Sequence, residues 1–195
     1  PSCDCGKYVE IWNNVFMEFY KDKNGYTKLS QKNVDTGLGL ERMTMLLEGK
    51  ETPFDTELFK PVMDKLQELQ KVDSIESRRI VAEHLRSSMM IVSDGGRPSN
   101  VDRGYVLRRL LRRSVRFGKT IGMESPFMYK IVSDVVDVMK DAYPYLVEKR
   151  LNASVCFFIS ASAILPRLLT KTSNPIDSSI ISDVMSFFVP GRNSS

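Results

Sequence analysis

Histidine is nearly absent: the 195 residues hold one, His84. A single imidazole leaves no serine or cysteine triad, and no acid–base dyad stands out elsewhere. Side-chain nucleophilic chemistry therefore has little to build on. In the run Glu83-His84-Leu85-Arg86, a structural or surface role is favoured over catalysis. Cysteine is scarce too. Cys3, Cys5 and Cys156 are an odd set without framework spacing, which argues against a disulfide scaffold and for a reducing compartment. Cys3-x-Cys5 supplies only half of a zinc site, so free thiols are the favoured reading. No uninterrupted apolar run reaches about 18 residues, so no transmembrane helix is expected. A signal-peptide pattern and an initiator Met are both missing, and the latter hints at an absent start. Neither Gly-x-Gly-x-x-Gly nor a P-loop occurs.

What is present is an ordinary globular composition, 42% hydrophobic and 27% charged, with a formal charge of +4. Such a chain is long enough for one or two domains. The charge is unevenly spread: Arg103 to Lys119 contains seven basic residues and no acidic one.

Asp35-Thr-Gly-Leu-Gly-Leu-Glu-Arg42 is the most informative stretch. Leu40, Met43, Leu46 and Leu47 fall at helical spacing, and Gly49 sits where a glycine would end that helix. Gly37 and Gly39 then lie at a helix mouth, where unpaired N–H groups and the dipole favour an anion. Arg42 adds a planar fork of donors suited to phosphate. The alternative is an ordinary glycine-containing turn.

Upstream, Tyr8 to Tyr20 predicts a strand rich in aromatic and β-branched residues. Alternation places Val9, Ile11, Asn13, Val15, Met17 and Phe19 on one face. Asn13 is the polar member of that face, either a satisfied core amide or a ligand contact. Asn24-Gly25 signals a hairpin. A second strand is expected over Tyr26–Leu29 and a third near Asn33–Asp35. Downstream, Thr56–Leu69 reads as a helix with Pro61 inside it. Lys71–Ser77 reads as a linker and Arg79–Val92 as a helix. Ser93 to Pro98 reads as a loop, and Ser99-x-x-Asp102 as a capping box. The next helix, Tyr105–Arg116, puts Val106, Leu107, Leu110, Leu111 and Val115 on one side. Arg108, Arg109, Arg112, Arg113 and Arg116 spread around the other. Arginines at i,i+4 spacing repel, so an RNA or DNA polyanion is favoured over a merely solvated face. Ser125-Pro126 opens a further helix, which Tyr143-Pro144 ends. Beyond Lys149 the character changes: residues 151–195 hold ten serines and five charged side chains.

Glu10-Ile-Trp-Asn-Asn-Val-Phe-Met17, Val34-Asp-Thr-Gly-Leu-Gly-Leu-Glu-Arg42 and Pro98-Ser-Asn-Val-Asp-Arg-Gly-Tyr-Val-Leu-Arg-Arg-Leu-Leu-Arg-Arg113, supported by Ala82-Glu-His-Leu-Arg86, resemble the alanyl-tRNA synthetase family of class II synthetases over residues 1 to about 149. The resemblance implies an α+β fold, part of an antiparallel sheet followed by a helical tRNA-recognition region. Residues 1–70 would be the C-terminal part of the aminoacylation domain. Residues 71–149 would be a partial tRNA-recognition domain, and 151–195 a divergent tail. It implies alanine–tRNA ligase chemistry, with ATP and Mg²⁺. Alanine carboxylate attacks the α-phosphate, and a terminal ribose hydroxyl of tRNA(Ala) then takes the alanyl group.

By the same match Gly37, Gly39 and Arg42 bind ATP. Asn13, Val15, Asp35 and Gly37 form the alanine pocket, with Asp35 holding the α-amino group. Asn100 reads the G·U wobble pair of the acceptor stem, and the arginines, Arg103 included, hold the RNA backbone. The family's zinc site, editing domain and first two class II motifs have no counterpart here. The chain alone is accordingly expected to be inactive, cytoplasmic or organellar, and free of the membrane. A non-catalytic RNA-binding module is the alternative.

Overall fold

A computed structural model describes residues 8–123 and 126–169, with side chains described to residue 162. Cys3, Cys5, Ser125 and most of the serine-rich tail lie outside the described residues. The chain is α+β: two antiparallel strands are followed by six α-helices among the described residues. Two compact units meet in sequence between Leu58 and Phe59.

In the first unit, β1 (Trp12–Asp22) pairs with β2 (Gly25–Leu38). The closing pair is Asp22↔Gly25, so Lys23 and Asn24 form a two-residue turn. The Asn24 N–H donates to Asp22 Oδ1 at 2.7 Å, and Gly25 takes φ +126°, a conformation side chains disfavour. The two return strands expected from sequence are one continuous strand, and β1 begins four residues later than alternation predicts. A register irregularity between Met17 and Phe19 interrupts the alternation of β1. α1 (Leu40–Leu47) follows with Gly39 as its N-cap. It ends in a Schellman motif: Gly49, at φ +63°, donates to Leu46 O, and the Lys50 N–H reaches Met45 O. No residue of β1, β2 or α1 is buried. Trp12, Phe16, Phe19, Tyr20 and Tyr26 are all more than half exposed.

The second unit holds the core. α2 (Lys60–Leu69) starts four residues later than its apolar pattern predicts: after a 3₁₀ turn at Pro53–Asp55, residues 56–59 form a bend and turn ahead of the helix. Pro61 therefore stands in the first turn, where its missing N–H has no partner to lose. α3 (Ile75–Ser93) reaches back into the expected linker, capped by Ser74 Oγ accepting from the Ser77 N–H at 3.3 Å. α4 (Asp102–Thr120) packs along α3. Leu107, Leu111, Ser114, Val115 and Gly118 form its buried stripe, whereas Val106 is half exposed and stands outside the apolar side assigned to it.

Gly118 is buried because Phe127 occupies the space a Cβ would need, 2.3 Å from a ring carbon. A 3₁₀ turn (Met128–Ile131) leads into α5 (Val132–Met139), so Pro126 precedes the helical residues rather than opening them. α6 (Tyr145–Leu169) runs straight through the compositional break near Lys149. Leu146, Ala153, Phe157 and Ala161 lie buried along it. Burying each large apolar side chain contributes about 1.5–3 kcal/mol, which makes this unit the stable one.

Candidate functional site

Two sets of side chains were singled out by the sequence, and each lies within one unit. In the hairpin, β-pairing sets Asn13 opposite Gly37 and Val15 opposite Asp35. Directly opposed residues project to the same face, with Cβ atoms about 4.5–5.5 Å apart. The four positions thus form one patch. A carboxylate and an amide flank an apolar side chain and a glycine floor. Nothing lies within 4 Å of where a Gly37 Cβ would stand, so the floor is open. Asn13 Nδ2 donates weakly to Glu10 Oε1 at 3.4 Å.

The end of the ribbon carries the glycines and the arginine that the sequence marks as an anion-site candidate. The Gly39 N–H donates to Ile11 O at 3.1 Å, which ties the helix entry to the start of β1. The N-cap has no side-chain hydrogen bond, so the first-turn amides of α1 have no side-chain acceptor there. Arg42 folds over Gly39 and donates from Nη1 to Glu10 O at 2.6 Å. One arm of the guanidinium is fixed to the backbone, and its other donors remain on an exposed side chain.

The second set lies on α4 and the loop before it. Arg103, Arg109, Arg112, Arg113 and Arg116 are exposed, while Arg108 is half-buried. Among the described residues, none of Arg103, Arg109, Arg112 and Arg116 forms an ion pair. Arg113 lies over the Phe117 ring, 5.7 Å from its centroid. The only carboxylate on the helix is Asp102 in its first turn, and among the described residues it forms no ion pair with these arginines.

The loop is tightly closed. Ser99 does not cap α4 as a capping box would. Its Oγ donates to Val101 O at 2.8 Å and accepts the Val101 N–H, and the Ser99 N–H donates to Gly104 O. A Cβ on Gly104 would sit 2.2 Å from Ser99 Oγ and 2.5 Å from Arg97 O, so only glycine fits. Asp102 holds φ +47°, an uncommon conformation outside glycine that the surrounding hydrogen bonds enforce. Asn100 is exposed on this loop, and its Oδ1 accepts a hydrogen bond from Arg108 Nη1. That link joins residues eight apart across a helix start, and periodicity carries no signal for it.

Other candidates resolve as structural. His84 is buried, and burial pushes its imidazole below the ordinary range; the nearby Arg113 adds to this while Glu83 opposes it. Cys156 is a half-buried free thiol whose pKa burial raises, the opposite of an activated nucleophile. Among the described residues no group of three or more His, Cys, Asp or Glu is placed to hold a metal ion, so no residue here is assigned to Mg²⁺ or zinc. No described helix is long and apolar enough to cross a membrane.

The family described as tRNA synthetases class II (A) matches residues 1–156, slightly past the limit near 149 read from the motifs. The alanine–tRNA ligase of Desulforamulus reducens is 46% identical over 154 residues, covering 75% of this chain and 18% of that protein. That of Natranaerobius thermophilus is 48% identical over 157 residues, covering 77% and 18%. That of Borrelia hermsii is 44% identical over 158 residues, covering 76% and 27%. The chain thus spans about a fifth of the length of the first two curated relatives. With four-fifths of its length matched, from the hairpin patch through the arginine helix into α6, the chain belongs to the alanyl-tRNA synthetase family of class II synthetases.

Proposed function

We propose that this chain carries the floor of an alanine-activating site and a docking face for the acceptor stem of tRNA(Ala), and that the second operates without the first. The observation that carries the activation half is the hairpin register, with Asn13 and Val15 opposite Gly37 and Asp35. A small amino acid fits this patch chemically. Its ammonium pairs with the Asp35 carboxylate, and its methyl group lies over Val15. Asn13 offers both a donor and an acceptor, and Gly37 leaves room for the backbone of the ligand. Arg42, anchored on Glu10 O, turns its remaining donors to ATP phosphates beside the open helix entry at Gly37 and Gly39. Positioning and charge stabilisation suffice for acyl transfer through an adenylate, without a side-chain nucleophile.

The exposure of the hairpin limits what the chain does alone. A two-stranded ribbon with every described residue accessible provides one wall of a pocket and cannot exclude water from it. The isolated chain is therefore expected to show no alanine-dependent exchange of pyrophosphate into ATP. Exchange above the background of a D35A variant would overturn this reading.

Acceptor-stem binding is supported by the exposed arginines of α4, which form no ion pair among the described residues, and by the hydrogen-bonded loop presenting Asn100. In this reading Arg103, Arg109, Arg112, Arg113 and Arg116 meet phosphates. Asn100 reads a base edge at the G·U pair from the shallow minor groove. The helical unit has its own buried core, so RNA binding needs neither alanine nor ATP.

A further inference from the structure

Arg108 differs from the other arginines of α4. It is half-buried where Arg103, Arg109, Arg112, Arg113 and Arg116 are exposed. Its guanidinium lies 5.8 Å from the centroid of the Tyr105 ring. Its Nη1 donates to Asn100 Oδ1. Side chains on a helix lean toward its N-terminus, so Arg108 reaches back over the first two turns to the residue just before the N-cap.

This contact sets the polarity of Asn100. A primary amide can turn over and offer either its oxygen or its NH₂ group to a ligand. A guanidinium only donates, so beside Arg108 the amide must present Oδ1 inward. Nδ2 is then left facing away from Arg108, and Asn100 becomes a donor of fixed direction. Its ligand must supply an acceptor there, such as a pyrimidine O2, a purine N3 or a ribose 2′-hydroxyl. A wobble pair displaces its minor-groove groups relative to a Watson–Crick pair. A donor locked in place registers that displacement, whereas an amide free to turn accommodates both.

We infer that Arg108 is a positioning residue: it holds the Asn100 amide with its NH₂ group outward and so sets base-pair discrimination, rather than neutralising a phosphate. The inference rests on the proposed reading of Asn100 as the base-reading residue.

The test uses the full chain with two acceptor-stem RNA hairpins, one carrying the G·U pair and one G·C in its place. Salt titrations are run on the unaltered chain, N100A, R108M, R108K and the N100A/R108M double variant, each checked for unchanged helicity. R108M is expected to lower the G·U preference about fivefold to tenfold, with the salt slope for either hairpin changing by much less than one. The double variant should discriminate no worse than N100A alone. R108K, which keeps a donor, should recover part of the preference. Loss of preference in N100A, with R108M keeping it but binding both hairpins equally more weakly and with a slope lower by about one, would make Arg108 a phosphate contact and overturn the inference while the Asn100 reading stands. A preference that survives N100A, or is absent from the unaltered chain, would refute the Asn100 reading and the inference with it.

Discussion

Replacing Arg109, Arg112 and Arg116 together with glutamine is expected to weaken binding of an acceptor-stem hairpin by about a hundredfold at low salt, and to reduce the slope of log K against log salt by two to three. The three positions fall at i, i+3 and i+7, which is one face of α4. All three are exposed and none forms an ion pair among the described residues. Each phosphate they neutralise releases a counterion, which ties affinity to ionic strength. G·U and G·C hairpins should weaken equally, because phosphate contacts position the RNA without reading it. Folding stability should stay level or rise slightly as i,i+4 repulsion between Arg112 and Arg116 is relieved. An unchanged slope in the triple variant would leave α4 a solvated basic face.

Leu111→Ala is expected to destabilise the helical unit by about 2–5 kcal/mol, read as a lower urea midpoint in the helical circular-dichroism signal. Leu111 is fully buried on the α4 stripe facing the core. Truncating it removes transfer energy and leaves a cavity that packed neighbours fill only in part. Val106→Ala is the matched control. Val106 reads as part of the same apolar side in sequence, but it is half exposed, so its loss should stay within about 0.5 kcal/mol. Equal costs at the two positions would contradict the packing described for α4.

The contrast between Leu111 and Val106 shows where sequence reading holds and where it gives out. Periodicity locates the helix and most of its stripe, but it blurs the edge of the buried arc by one position. The helix exit at Gly49 is legible because a C′ glycine with positive φ has few substitutes, and the hairpin turn because Asn24-Gly25 has local chemistry of its own. β2 reads as two strands in sequence because Ser30, Gln31 and Lys32 carry no apolar alternation; cross-strand pairing, which is non-local, sustains the strand on either side of them. Pro61 reads as an interior proline because Leu58 and Phe59 extend the apolar pattern ahead of the helix, which starts only at Lys60. The break near Lys149 is one of composition only, since α6 keeps Leu146, Ala153, Phe157 and Ala161 in the core on both sides of it.

The candidate site divides the same way. Residue types and spacing single out Asn13, Gly37, Gly39 and Arg42; Val15 and Asp35 become site residues only through the family resemblance. The register that sets four of them on one face, and the Arg42 contact to Glu10 O, depend on strand pairing. The basic helix was visible as charge. The separation of Arg108 from its exposed neighbours, and the fit of Gly104 against Ser99 and Arg97, required the folded loop.

The most direct test of the account is a salt titration of the unaltered chain against the two acceptor-stem hairpins, without alanine or ATP. Binding is expected to weaken steeply with salt and to retain a G·U preference of about tenfold as ionic strength rises. Equal affinity for G·U and G·C hairpins at every salt concentration would contradict it, leaving the arginine face a generic RNA binder and Asn100 without a base to read.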